Sequence, residues 1–316
     1  MRIGIIGTGR IANRFVPEAE CVADVQVVSV YNPHESSAAS FGEKHGLQAF
    51  SDLEAFFASV DAVYIDSPHE THVSYASQAL DAGKHVLCEK PMAFSEKEAR
   101  ELFELACDKD LVLMEGLKTA YAPGFSKILE LVQTGCIGET KYIEACFTKL
   151  VEESGREFAD TGYGGSFTEL GSYVLLPVLS AFGAEYSDVS FDSIRNEKGV
   201  DIFTRATIQY GATGDSRGTD CDRFASVICG LGVKSEGRLM ISGTKGYVLV
   251  EAPWWKPTRI SVHYEDPSKV DEYECEFLGD GLRYELSTFV ENIEKKSCSL
   301  QEVSVALAKT MEKFIQ

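Results

Sequence analysis

Gly7-Thr8-Gly9-Arg10-Ile11-Ala12 stands directly after a short apolar run, Arg2 to Ile6, and opens a helical pattern from Ile11 to Glu20. Alone, a G-x-G-x-x-G/A spacing says little; between a strand and a helix it is specific for a dinucleotide-binding turn. The first glycine makes the tight turn, and the second lets the backbone approach a pyrophosphate at the helix N-terminus. Ala12 keeps the helix close to its strand. The chain therefore commits its first residues to a βαβ unit, with Gly7, Thr8, Gly9, Arg10 and Ile11 as the expected phosphate cradle.

The alternation continues. Val25 to Tyr31, Ala62 to Ile65, His85 to Cys88 and Leu111 to Met114 are apolar, mostly β-branched runs of the kind buried on both faces of a parallel sheet. Glu35 to His45, Thr71 to Ala82 and Ser95 to Asp108 read as the helices between them. Ser95 with Glu98 resembles a capping box, and Gly83 stops the preceding helix. Beyond residue 120 the pattern changes. Tyr121 to Thr134 and Ser166 to Phe182 look helical. Six strand-like runs (Thr140 to Thr148, Ile202 to Tyr210, Phe224 to Gly230, Gly237 to Ser242, Tyr247 to Glu251 and Arg259 to Tyr264) are linked by Gly-containing turns. Gly211 to Asp222 reads as a loop, and Gly281 to Lys296 and Leu300 to Gln316 close the chain as helices. The expected fold class is α/β: an N-terminal Rossmann domain with a doubly wound parallel sheet over 1–118, then a C-terminal α+β domain over 119–316 with a mostly antiparallel open sheet. The C-terminal helix is expected to pack back on the first domain.

Charge and composition remove several function classes. Thirty Lys and Arg against 49 Asp and Glu leave a net charge of −19, unsuited to nucleic acid. With no run of 18 apolar residues and a strand at the N-terminus, a cytoplasmic protein without a membrane partner is expected. The nine cysteines are scattered without a C-x-x-C pair, so they read as reduced structural thiols and no metal site is expected.

Four places could carry chemistry. Asn32 ends the second strand, where a carboxylate would bind the ribose hydroxyl of NAD; it is neutral, and no Arg or Lys lies between Tyr31 and Ala39 to clamp the phosphate of NADP. NAD or NADP is the expected cofactor, with a lean to NAD. The loop Asp66-Ser67-Pro68-His69-Glu70-Thr71-His72 follows the next long strand, and Ser67, Pro68, His69 and His72 are expected against the cofactor. Glu89-Lys90-Pro91 ends a buried strand, where a lysine can handle a proton. Glu169 and Tyr173 lie four apart on the helix after Gly164-Gly165 and so share a face. A tyrosine there can donate a proton if an ammonium such as Lys90 lies near it, but the residues alone favour Tyr173 as a core aromatic and Glu169 as a solvated or capping carboxylate.

In order and spacing, Gly7-x-Gly9-x-x-Ala12, the run Ala79 to Pro91 and the Gly164-Gly165 helix resemble the Gfo/Idh/MocA family of oxidoreductases along nearly the whole chain. The resemblance implies that Lys90 contacts substrate and cofactor and assists proton transfer, and that Glu89 helps place the nicotinamide ribose. Many members carry Asp-x-x-x-His on the later helix; here Glu169-x-x-x-Tyr173 stands instead, similar to the glucose-fructose oxidoreductase and dihydrodiol dehydrogenase branch, which makes Tyr173 the implied proton donor. Trp254-Trp255 resembles an aromatic pair of that branch. His69 stands where an asparagine is frequent, while His72 matches the family's later histidine. The implied activity is hydride transfer between nicotinamide and a secondary alcohol or carbonyl of a sugar, polyol or cyclic trans-diol. A homodimer or homotetramer through the C-terminal sheet is also implied. The competing expectation is a cofactor-binding sensor without turnover.

Overall fold

The computed structural model describes residues 1–159, 162–211 and 221–315. The chain forms two compact units, one of Met1–Lys118 with Leu278–Ala308, the other of Thr119–Phe277 with the last turns of the chain.

In the first unit, β1 (Arg2–Ile6), α1 (Ala12–Ala19), β2 (Gln26–Tyr31), α2 (Glu35–His45), β3 (Gln48–Phe50), α3 (Leu53–Ala58), β4 (Ala62–Ile65), α4 (His72–Asp81), β5 (His85–Glu89), α5 (Glu96–Asp108) and β6 (Leu113–Gly116) alternate along the chain. The six strands form one sheet in the order β3-β2-β1-β4-β5-β6, with every pairing parallel. Strand order reverses between β1 and β4, the crevice where doubly wound sheets bind ligands. Helices cover both faces, which is why the central strands are apolar throughout: Ile3, Ile5, Ile6, Val63, Tyr64, Ile65, Val86 and Leu87 are all buried. Fully burying one such side chain contributes roughly 1.5–3 kcal/mol.

The second unit holds α6 (Pro123–Gln133), β7 (Thr140–Thr148), α7 (Ser166–Phe182), β8 (Asp188–Arg195), β9 (Asp201–Tyr210), β10 (Arg223–Gly230), β11 (Leu239–Gly243), β12 (Gly246–Val250), β13 (Arg259–Tyr264) and β14 (Val270–Glu274). Its eight-stranded sheet runs β14-β13-β12-β11-β7-β10-β9-β8, antiparallel except where β10 pairs with β7. α7 packs on β7, β9 and β10, burying Phe167, Leu170, Val174 and Val178 on the face that also buries Ile143, Ala145, Ala206, Ala225 and Val227. α8 (Leu282–Lys295) returns to the first unit, and α9 (Gln301–Ile315) contributes Val305 and Ala308 to that unit's core.

Several expectations need correction. β3, α3, β8 and β14 are not foreseen by the hydropathy pattern; the three strands are sheet edges, and none of them buries a residue. β6 begins two residues later than expected, because the Leu111 amide still bonds back to Ala106 at the end of α5. Ser95 takes the extended N-cap backbone of α5 but makes no capping hydrogen bond with its side chain. The expected loop Gly211 to Asp222 falls mostly on 212–220, outside the described residues.

Candidate active site

The ladder of the parallel sheet sets four strand ends level. Ile6 pairs with Tyr31 on one side and Ile65 on the other, Ile65 pairs with Cys88, and Glu89 pairs with Gly116. Gly7, Asn32, Asp66 and Lys90 therefore all leave the sheet at the same edge.

Gly7 turns the chain with φ +115°, and a Cβ there would collide with the Asp66 carbonyl oxygen. Only glycine fits a turn that is both left-handed and packed on backbone. The amide of Ala12 donates to Asp66 Oδ2 at 2.7 Å, so a carboxylate, unforeseen in the sequence, ties the start of α1 to the end of β4. Among the described residues, no hydrogen bond takes up the Arg10 and Ile11 amides. A glycine turn with free first-turn amides fits a dinucleotide pyrophosphate. At the end of β2, Asn32 Nδ2 donates to Thr8 Oγ1 at 2.9 Å and Oδ1 accepts from the His34 amide at 2.9 Å. The asparagine braces the phosphate turn and brings no charge to it.

The loop after β4 contains two histidines with different fates. His69 is half-buried and lies edge-on to His72 at 5.6 Å between ring centroids. His72 is 1% exposed, with Nδ1 at 2.9 Å from the Pro91 carbonyl and Nε2 at 2.9 Å from the Ser67 carbonyl. Burial pulls its proton affinity down while the two carbonyls pull it up. His72 thus serves as a strut between the β4 and β5 loops, with both ring nitrogens taken up by backbone carbonyls. Ser67 also accepts from the Thr71 hydroxyl at 2.7 Å. Pro68 is exposed and precedes a short 3-10 turn, His69–Thr71.

Glu89, 8% exposed, accepts a hydrogen bond from the Tyr64 hydroxyl at 2.6 Å, and Tyr64 stacks on Phe15 at 3.8 Å. Lys90 follows, half-buried, at the rim. Two further carboxylates, also unforeseen, lie behind it: Glu115 on β6, 3% exposed, and Glu285 on α8, fully buried. Burial, with Glu89 beside it, pushes the Glu285 carboxyl well above the usual carboxylate range. Glu115 was visible in principle as the one acid within Leu111-Val112-Leu113-Met114-Glu115-Gly116.

On the second unit, α7 is buried at nearly every position of its first half except Glu169 and Tyr173. Four residues apart, they open the same stripe. A Cβ at Gly165, which has φ +99°, would collide with Asp201 Oδ1. Asp201 Oδ2 accepts the Phe167 amide at 2.9 Å, capping α7 from β9. That cap explains the glycine at 165. Arg156 stands 3.9 Å from Glu169. The Tyr173 ring lies edge-on to Phe147 at 5.2 Å, and Phe147 stacks on Trp255 at 3.6 Å. Trp254 is fully buried and donates to the Cys146 carbonyl at 2.9 Å. Of the Trp pair, then, Trp254 is an anchor and Trp255 is part of the aromatic wall beside Tyr173. No group of metal-ligating side chains occurs among the described residues.

A family model described as "Oxidoreductase family, NAD-binding Rossmann fold" matches residues 1–117. The chain is 30% identical over 328 residues to the scyllo-inositol 2-dehydrogenase (NADP(+)) IolU of Bacillus subtilis, spanning 100% of this chain and 95% of that protein. It is 30% identical over 305 residues to human trans-1,2-dihydrobenzene-1,2-diol dehydrogenase, spanning 93% and 89%. KijD10, a 3-ketoreductase from Actinomadura kijaniata solved with NADP and TDP-benzene, superposes with TM-score 0.81 over 99% of this chain and 96% of its own, at 22% identity. The last likeness is one of fold.

Proposed function

Since the chain belongs to the Gfo/Idh/MocA family of NAD(P)-dependent oxidoreductases, we propose that it acts on a secondary alcohol or carbonyl of a sugar, polyol or cyclic trans-diol, with Lys90 and Tyr173 managing the proton. The nicotinamide, when bound, supplies the hydride acceptor or donor. In oxidation, the substrate's C–H bonding pair leaves as hydride, its O–H proton passes to the Tyr173 phenolate, which becomes the hydroxyl, and the C=O bond forms. In reduction the same proton returns from the Tyr173 hydroxyl to the alkoxide oxygen. Lys90 contributes a positive charge toward that oxygen, the group on which charge develops. Glu169 shares the open stripe of α7 with Tyr173 and is assigned to substrate hydroxyls. The observation that carries the reading is this stripe: in a half of the helix that is buried at almost every neighbouring position, the carboxylate and phenol that proton transfer needs are the two residues left partly accessible.

NADP is the proposed preferred cofactor, a change from the lean to NAD. Asn32 offers no carboxylate to repel a 2′-phosphate, Arg10 is exposed in the turn beside it, and IolU and KijD10 are both named with NADP. Homodimer formation is assigned to the open face of the eight-stranded sheet, where Tyr142 is half-buried and Phe224 is 42% exposed, paired across β7 and β10. No described helix is long and apolar enough to cross a membrane; nine free thiols fit a reducing, cytoplasmic setting.

The test is a panel of sugars, inositols and trans-diols with NAD+ and NADP+, followed by nicotinamide absorbance, using wild type and Lys90→Met. Turnover that Lys90→Met abolishes while cofactor still binds is the expected result. Undiminished turnover in Lys90→Met would remove Lys90 from the mechanism, and cofactor binding with no turnover across the panel would favour the sensor.

A further inference from the structure

Glu115 sits on β6 opposite Cys88, one position before the pair Glu89 and Gly116. Its Oε1 accepts the Met92 amide at 2.9 Å, so this carboxyl holds the backbone two residues past Lys90. Its Oε2 is buried without a hydrogen-bond partner. An ionised carboxylate with one oxygen so placed is costly, and a proton on that oxygen removes most of the cost. Burial accordingly pushes Glu115 up to about 7, against the opposing pull of the Met92 amide, the Ser304 hydroxyl and the Lys90 ammonium. The groups facing it are Cys88, Glu89 and Lys90 from β5 and its end, and Ser304 from α9. Glu285 stands behind Glu89, against Gly116, and is itself faced by Glu89, Lys118, Glu18 and Tyr64.

We propose that Glu115 is a positioning residue for Lys90, clamping the loop through Met92 while binding and releasing a proton, so that its charge sets the field in which the Lys90 ammonium meets the substrate oxygen. Ionised, Glu115 draws on the ammonium from behind; neutral, it leaves the full positive charge to the substrate. The inference rests on the proposed role of Lys90 and adds the group that modulates it. Coupling between two such sites is reciprocal, so removing the ammonium must raise the pH at which Glu115 ionises.

Two measurements test this. The rate of carbonyl reduction is followed against pH in wild type and Glu115→Gln, a change that keeps an acceptor for Met92 but no charge. Infrared difference spectra in the carboxyl region are recorded through the same range for wild type, Glu115→Gln and Lys90→Met. The expected result is a wild-type rate that falls several-fold as pH rises through about 7 and a flat profile in Glu115→Gln. A carboxyl band lost over the same range should be missing from Glu115→Gln and should disappear at higher pH in Lys90→Met. A fall in rate that survives in Glu115→Gln, or a band that does not move in Lys90→Met, overturns the inference. Normal turnover in Lys90→Met overturns the role of Lys90 in catalysis, and the infrared shift distinguishes that failure from failure of the electrostatic coupling itself.

Discussion

Gly7 and Asp66 lie in such close contact that no side chain fits between the first turn of the chain and the end of β4. Asp66 then uses its carboxylate on the Ala12 amide at 2.7 Å, so turn, helix and neighbouring strand are joined at one point. Gly7→Ala combines a left-handed φ of +115° with a collision against backbone, which cannot move aside cheaply. It should cost about 2–4 kcal/mol of stability and weaken cofactor binding at least tenfold. Urea denaturation and cofactor titration check both.

Tyr173→Phe removes the hydroxyl and keeps the ring against Phe147. If the phenol is the proton donor, kcat should fall roughly 10²–10⁴-fold, the range of a lost general acid, with KM and melting temperature little changed. Steady-state kinetics beside a thermal melt distinguish this from a packing defect, which would lower the melting temperature.

Glu115 predicts a pH dependence of stability with a definite sign. Its ordinary value is 4.5 and the folded protein raises it to about 7. Between these values the native state holds a proton that the unfolded chain has lost, so stability is greatest below the lower value and declines as pH rises to the upper one. The loss is on the order of a few kcal/mol. Glu115→Gln should flatten that decline in urea midpoints taken across the same range.

Glu18 gives the opposite sign. Burial pushes its carboxyl up, but hydrogen bonds from the Arg283 side chain and amide and from the Asp280 amide outweigh burial and hold it below the usual carboxylate range. Arg283 Nη2 is 2.7 Å away and Nε 3.1 Å. The bond set ties α1 to α8, and its contribution is present at neutral pH and lost as pH falls through the depressed value. Glu18→Ala should cost about 3 kcal/mol, since it leaves a partly buried guanidinium without its partner. The deficit should shrink in acid, as read from denaturation at neutral and low pH.

Much of the first unit was legible because its determinants are local. Gly7-x-Gly9-x-x-Ala12 states its own turn, and strands buried on both faces announce themselves as apolar runs. Edge strands do not. Asp188 to Arg195 and Val270 to Glu274 mix charge with apolar residues because neither buries a side chain, so only the partner strand identifies them. The site divides in the same way. Lys90 stood out by its motif, Glu169 and Tyr173 through the family resemblance, and Glu115 only as a lone acid in an apolar run, whereas nothing in the sequence marked Asp66 or Glu285.

By itself the sequence determined a dinucleotide turn, a parallel sheet of buried strands, and a lysine at the end of one of them, each set by residues a few positions apart. Tertiary structure decided what surrounds that lysine. It turned His72 inward as a strut, bound Glu89 to Tyr64, and brought Glu115 from β6 and Glu285 from α8 to the ground behind Lys90. Burial and field depend on which distant segments share a small volume, and that is a property of the folded chain.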